Sequence, residues 1–245
     1  RGVHDEQRCF GVEGLRFVDL GGGVHGVVPP DVAALGPGNF RAGAADHQHV
    51  LDGVGSGHRG IGVVLDRDGG AAPELVSVFR ALSIPGGEIL AIAPYFPEYK
   101  PFAQAAGLEF KVVPPDVPDF QIPMDRLEEC LTPNTQAVIV NSPNNPSGTV
   151  YSEQTLCRLA QLLTRKSEEF GHPIYIISDE PYRELVYDGA AAPFVPNIYP
   201  NTVVCYSYSK SLSLAGERIG YIYVPKAAAQ SRELYAAIAG ASRTL

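Results

Sequence analysis

From about Ala71 onward, short apolar runs alternate with stretches of helical period, the pattern left in a sequence by a mostly parallel sheet covered with helices. Strands are read at "EILAIAP" (88–94), "EFKVVPP" (109–115), "QAVIVNSP" (136–143), "IYIISDE" (174–180) and "NTVVCYSYS" (201–209). The clearest helix runs from Ser152 to about Phe170: Leu156, Leu159, Ala160, Leu162 and Leu163 share one face, Ser152 suits the N-cap, and Gly171 suits the position just past the end. Further helices are read over 73–83, 97–106, 124–131 and 226–239. The expected architecture is therefore α/β, with ligands bound at the loops that follow the strands' carboxyl ends.

Composition limits what such a fold could serve. With 245 residues, 45% of them apolar, the chain can bury one large core or two small ones. A net charge of −8, with no basic run to offset it, excludes a nucleic-acid partner. No apolar run approaches the length of a membrane span, and "RGVHDEQRCFG" has no leader-like apolar core. The four cysteines, Cys9, Cys130, Cys157 and Cys205, form no CxxC pair and read as reduced, mostly buried thiols, which points to the cytoplasm. Because the chain begins at Arg1, it reads as part of a longer protein.

Residues 1–69 stand apart as an atypical Gly/His-rich segment. The first 70 residues hold no Lys and no Tyr but five of the six histidines. "GVEGLRFVDLGGG" and "GIGVVLD" suggest one strand each, and the stretch between them has neither period. A flexible arm and translation in a shifted reading frame both fit this composition; sequencing the coding DNA separates them. "GSGHRG" (55–60) matches GxGxxG, but its glycines precede a strand-like run instead of following one, so it reads as a glycine-rich loop. "DHQH" together with His58 has the residue types of a metal cluster, yet it sits where solvent-exposed histidines are expected, and no metal is assigned.

Three motifs at strand ends carry chemistry. "NSPNNPSG" (141–148) is rich in turn formers, but a turn alone does not require Asn145, whose amide NH2 can donate to a ligand oxygen. In "SDEPYREL" (178–185), Asp179 falls where an apolar strand leaves the core, and a buried carboxylate there needs a cation; capping a following helix is the alternative. In "SYSKSLSLAGERIG", Lys210 ends an apolar strand between two serines, where burial would make its amine a nucleophile suited to a Schiff base. Arg218, eight positions on, offers a planar fork for a phosphate, with the Ser207 hydroxyl as a further donor.

Together these segments resemble the class I/II aminotransferases, which are fold-type I pyridoxal-phosphate enzymes. The pattern S-x-S-K-x-x-S-L-x-G-x-R-I-G is met throughout by residues 207–220, with "SPNNPSG" and "SDEPYREL" upstream in the family's order. The resemblance covers about 70–245 and implies the family's large domain, with the cofactor pyridoxal 5'-phosphate (PLP) held by Lys210 as a Schiff base. It further implies Asp179 as partner of the protonated pyridine nitrogen, Tyr182 and Asn145 as hydrogen bonders of the ring's phenolic oxygen, and Ser207 and Arg218 as phosphate ligands. "APYFPEY" (93–99) resembles the segment whose aromatic residue stacks on the ring, here Phe96. "GAAPELVSVFRAL" (70–82) resembles the phosphate loop, giving backbone N–H groups of Gly70, Ala71 and Ala72 at a helix N-terminus.

By the same resemblance, the reaction is transamination between an amino acid and a 2-oxo acid in a homodimer, with Lys210, Asp179 and Tyr182 as catalytic residues. The family's C-terminal small domain, which carries the arginine for the substrate carboxylate, is expected to be absent from a chain ending at Leu245. Three alternatives stay open at this point: a PLP-binding fragment without turnover, a PLP-dependent lyase on the same scaffold, and a nicotinamide-dependent oxidoreductase.

Overall fold

The computed structural model describes residues 71–243 and three earlier strands, β1 (Phe17–Asp19), β2 (His25–Val27) and β3 (Gly62–Asp66). The chain divides into two compact units, Arg1–His47 and Gln48–Leu245. In the first, β1 and β2 form an antiparallel pair with Phe17 opposite Val27. The second is built on a seven-stranded sheet with β3 at one edge. Its other strands are β4 (Glu88–Ile92), β5 (Glu109–Val113), β6 (Thr135–Asn141), β7 (Tyr175–Asp179), β8 (Thr202–Ser207) and β9 (Gly220–Val224).

The strand order is β3-β9-β8-β7-β6-β4-β5. Neighbours from β8 to β5 are parallel, while β9 runs antiparallel to both β8 and β3. The α/β architecture with a mostly parallel sheet is as the sequence predicts. Among the described residues, six α-helices accompany it: α1 (Ala71–Ala81), α2 (Tyr99–Ala105), α3 (Met124–Cys130), α4 (Glu153–Phe170), α5 (Tyr208–Ser211) and α6 (Ser231–Ser242).

Period-two alternation in the central strands divides the core into two layers. Ile89, Ala91, Ala137, Ile139, Tyr175, Ile177, Val203 and Cys205 face one way, onto Leu75, Val78 and Phe79 of α1, Tyr99 and Ala103 of α2, and Leu234 and Ile238 of α6. The residues between them, Leu90, Ile92, Val138, Val140, Ile174 and Ile176, face Leu156, Leu159 and Leu163 of α4 and Leu127 of α3. Both faces are covered, which is why these strands are continuous apolar runs in the sequence.

Helix α4 ends as its sequence dictates. The Ser152 hydroxyl accepts from the Thr155 N–H at 3.0 Å, and Gly171 closes the helix at φ +77°, a conformation that costs glycine nothing. Helix α6 differs from the expected 226–239 and starts five residues later. Ala229 is already engaged: its N–H donates to Asn201 Oδ1 at 2.7 Å, and its carbonyl accepts from the Tyr175 hydroxyl at 2.8 Å. Gln230 then turns left-handed at φ +51°, so a helix cannot run through it. Strand β3 is the "GIGVVLD" run, and its pairing with β9 puts it in the same sheet as the segments after residue 70, so the expected boundary at 69/70 falls inside one unit. Of the described cysteines, only Cys205 is buried; Cys130 and Cys157 are half-buried, because they lie on covering helices and not in the sheet.

Gly220 opens β9 beneath the first turn of α1. A Cβ there would collide with the buried Glu74 carboxyl group and lie 2.5 Å from the Tyr206 carbonyl oxygen. Glu74 could swing aside, but the Tyr206 carbonyl belongs to a paired strand. Gly220→Ala is therefore expected to destabilise the fold by about 3 kcal/mol, read from urea unfolding; a variant as stable as wild type would show that β8 and β9 part easily here.

Candidate active site

The alternation that builds the core also gathers polar groups at one end of the sheet. Asn141, Asp179 and Ser207 terminate β6, β7 and β8, each in register with the apolar residues that face α1 and α2. Asn141 lies opposite Asp179, and Asp179 opposite Cys205. After β4 the chain continues through Phe96 into α2. Because β4 leads to β5 on one side while β6 lies on the other, the crevice beside β4 and β6 is where the chain's direction of winding switches.

Asp179 is the centre of this cluster. It is 4% exposed, and its Oδ2 accepts a hydrogen bond from the Tyr99 hydroxyl. Oδ1 has no hydrogen-bond partner among the described residues. Burial, which disfavours the charged form, pushes the carboxyl up to about 7; the Tyr99 bond opposes that rise and neighbouring Glu180 adds to it. Pro181–Glu184 form a turn, not a helix, so the alternative role as a helix cap has no helix to serve.

The "NSPNNPSG" loop is held by two of its three asparagines. Asn141 Nδ2 donates to the Asp179 carbonyl at 2.8 Å, and its Oδ1 accepts from the Asn145 N–H at 2.6 Å. Asn144 Oδ1 accepts from the Ser147 N–H at 3.0 Å and the Ser147 hydroxyl at 2.8 Å. The Asn145 side chain is left to hydrogen-bond Tyr182. Burial and the nearby Asp179 raise the Tyr182 phenol, and the Asn145 bond works against both. Lys210 Nζ lies over the Tyr182 ring, 5.9 Å from its centroid.

Lys210 itself departs from expectation. It is exposed on the short helix α5, not buried at a strand end, because β8 stops at Ser207 and the chain turns outward there. Ser207 is buried, and its hydroxyl caps that turn: it accepts from the Ser209 N–H at 3.2 Å and donates to the Ser209 hydroxyl at 2.9 Å. Arg218 is exposed after a single 3₁₀ turn, with left-handed backbone at φ +51°, and Nη1 donates to the Ala215 carbonyl at 3.3 Å. Phe96 is half-buried, edge-on to the Tyr99 ring at 5.5 Å. Ala71 and Ala72 open α1, and Gly70 lies outside the described residues, as do "GSGHRG" and "DHQH".

The structure thus brings Phe96, Asn145, Asp179, Tyr182 and Lys210 into one connected group through Tyr99 and Asn141. Sequence reasoning missed both linking residues. Asn141 is the first letter of a motif already singled out, and its place at the end of a strand was the available signal. Tyr99 lies in "APYFPEY", but 80 positions separate it from Asp179 and nothing local marks the contact.

The model of the family described as aminotransferase class I and II matches residues 65–244. The chain belongs to that family. Among curated aminotransferases, it is 36% identical over 165 residues to a probable aspartate/prephenate aminotransferase of Thermus aquaticus, covering 64% of this chain and 40% of that protein. An aspartate/prephenate aminotransferase of Cereibacter sphaeroides is 30% identical over 91% of this chain and 59% of its own length. An alignment that long cannot fit within residues 70–245, so it reaches into the segment that the sequence leaves unassigned.

Among solved aminotransferases, one from Eubacterium rectale is 56% identical with a TM-score of 0.72, over 74% of this chain and 46% of that one. The aspartate aminotransferase of Thermus thermophilus, solved with maleate, is 30% identical with a TM-score of 0.64, over 74% and 44%. The chain spans about 40% of the length of the first curated relatives it matches. Among the described residues, no helix is long and apolar enough to cross a membrane, and no group of side chains could hold a metal ion.

Proposed function

We propose that the protein transfers an amino group between an amino acid and a 2-oxo acid, using PLP held at the carboxyl ends of β6, β7 and β8. The observation that carries this reading is Asp179 Oδ1, a buried carboxylate oxygen with no partner among the described residues. Such an atom is costly unless a cation meets it. A protonated pyridine nitrogen supplies that cation, and the rest of the cluster fits the same ring: Asn145 and Tyr182 as hydrogen bonders beside it, Lys210 over Tyr182, and Phe96 at the head of α2.

When bound, PLP supplies an aldehyde that bonds amines and a pyridinium ring that withdraws electron density from the substrate's α-carbon. The chain's own residues set the conditions. Asp179 keeps a proton on the ring nitrogen, and pairing with that cation favours its ionised form despite burial. Tyr182 and Asn145 orient the ring through its phenolic oxygen. Lys210 Nζ would hold the cofactor through its aldehyde, and the same amine would serve as the general base for the proton on the substrate's α-carbon. The exposure of Lys210 suits that double use, since the amine must move between two positions.

For the phosphate, Ser207 would exchange its Ser209 contact for an oxygen, with Arg218 and the N–H groups of Gly70, Ala71 and Ala72 as further donors. A homodimer in the cytoplasm completes the proposal, on the strength of the family resemblance and an acidic, thiol-bearing composition. The named relatives include aspartate/prephenate, N-acetyl-LL-diaminopimelate and methionine aminotransferases, so the substrate class stops at amino acid and 2-oxo acid. Borohydride reduction of the PLP-loaded protein followed by peptide mapping is expected to place a pyridoxyl group on Lys210. A label on Lys166 or Lys226 instead would sink the assignment.

A further inference from the structure

We propose that Tyr99 is a positioning residue that ties down one oxygen of Asp179 so that the other, Oδ1, is presented to the cofactor ring, and that Tyr99 sets the Phe96 ring from the same turn. This deepens the reading above and rests on it. Tyr99 is 1% exposed, on the first turn of α2, and its hydroxyl donates to Asp179 Oδ2. A carboxylate at a strand end can rotate about its last bond. With Oδ2 held from α2 and the Asp179 carbonyl held by Asn141, the direction of Oδ1 is determined by the protein before any ligand arrives.

The Tyr99 N–H donates to the Phe96 carbonyl at 3.1 Å, and the two rings meet edge-to-face at 78°. Three positions of one turn therefore relate the ring-facing aromatic residue to the carboxylate partner. Tyr99 is committed as a donor: burial, the Asp179 charge and the hydrogen bond all push its phenol well above the ordinary range, so it keeps its proton. The other titratable groups around Asp179 are Glu180 on its own segment, Cys205 on β8 and Tyr182 in the turn that follows β7.

The test begins without cofactor. Difference infrared spectroscopy follows the Asp179 carboxyl, identified by its loss in Asp179→Asn, as pH is varied. Tyr99→Phe keeps the ring against Phe96 and removes the bond to the charged form, so the Asp179 midpoint should move up by about one unit. An unmoved midpoint overturns the proposal. PLP absorbance titration then closes a double-mutant cycle: Tyr99→Phe should weaken binding about tenfold in the wild-type background and have little effect in Asp179→Asn. Equal losses in both backgrounds would make Tyr99 a packing residue and overturn the proposal as well. Failure of the aminotransferase reading looks different: Lys210 carries no borohydride label in the wild type, while the infrared shift in the cofactor-free protein stands.

Discussion

Asp179→Asn is expected to slow amino-group transfer in a single turnover by about 10²–10³-fold while leaving the borohydride label on Lys210 intact. The amide is close to isosteric and can still accept from Tyr99, so geometry survives. It has no charge, and a neutral group in a low-dielectric site does not hold a proton on a pyridine nitrogen. A variant that transfers at the wild-type rate would mean that Asp179 does not act on the ring.

The same substitution should have the opposite effect on the cofactor-free fold. The folded carboxyl titrates at about 7, against 3.8 for an ordinary aspartate. Between these values the unfolded chain releases a proton that the folded chain keeps. The aspartate's contribution to stability is thus full below about pH 4 and is lost as pH rises through 7. At pH 8 the buried charge costs on the order of 4 kcal/mol, taking one pKa unit as about 1.4 kcal/mol. Without PLP, Asp179→Asn should therefore be the more stable protein at pH 8 and gain nothing at pH 4, by denaturant unfolding. Equal stability at pH 8 would show that water reaches the carboxylate.

Lys210→Ala should abolish covalent capture of PLP and reduce single-turnover transfer by about 10⁴-fold, since it removes both the amine that bonds the aldehyde and the base that takes the α-proton. Exposure makes this a clean experiment. Lys210 lies on a four-residue helix outside the core, so the variant should unfold within about 0.5 kcal/mol of wild type, and lost activity cannot be assigned to a lost fold. Lys210→Arg keeps a charge near Tyr182 but has neither an amine to bond an aldehyde nor a base for the α-proton, so it should lose transfer as Lys210→Ala does while the charge stays in place. Transfer near the wild-type rate in either variant would assign the chemistry to another group.

Much of the fold was legible because burial on both faces forces long apolar runs, and those at β4, β6, β7 and β8 are unmistakable. Helix α4 was legible to the residue, since its cap and its terminal glycine are local chemistry. Helix α6 was misplaced by contacts from Asn201 and Tyr175, which no helical period in 226–239 could reveal. At the site, residue types at strand ends pointed to Asp179, Asn145 and Lys210, but not to their environments. A lysine after an apolar strand reads as buried until the chain is seen to turn outward at Ser207. That serine also reads alike as a ligand for phosphate and as the cap of the turn it precedes. The Tyr99 bond depends on the first turn of α2 lying within reach of the end of β7, a tertiary fact with no local signature.

The pairing of β3 with β9 has a consequence for synthesis. The two strands lie more than 150 positions apart, and β9 is inserted between β3 and β8. As the ribosome extends the chain, "GVVLD" emerges early, and its partner appears only after β4 to β8 have been made. Until then both β3 and the outer edge of β8 present unpaired backbone groups, the kind of surface that invites intermolecular strand addition. Of the seven strands in this sheet, the last to arrive is thus the one that joins its two parts, and translation that pauses before residue 220 leaves both edges exposed.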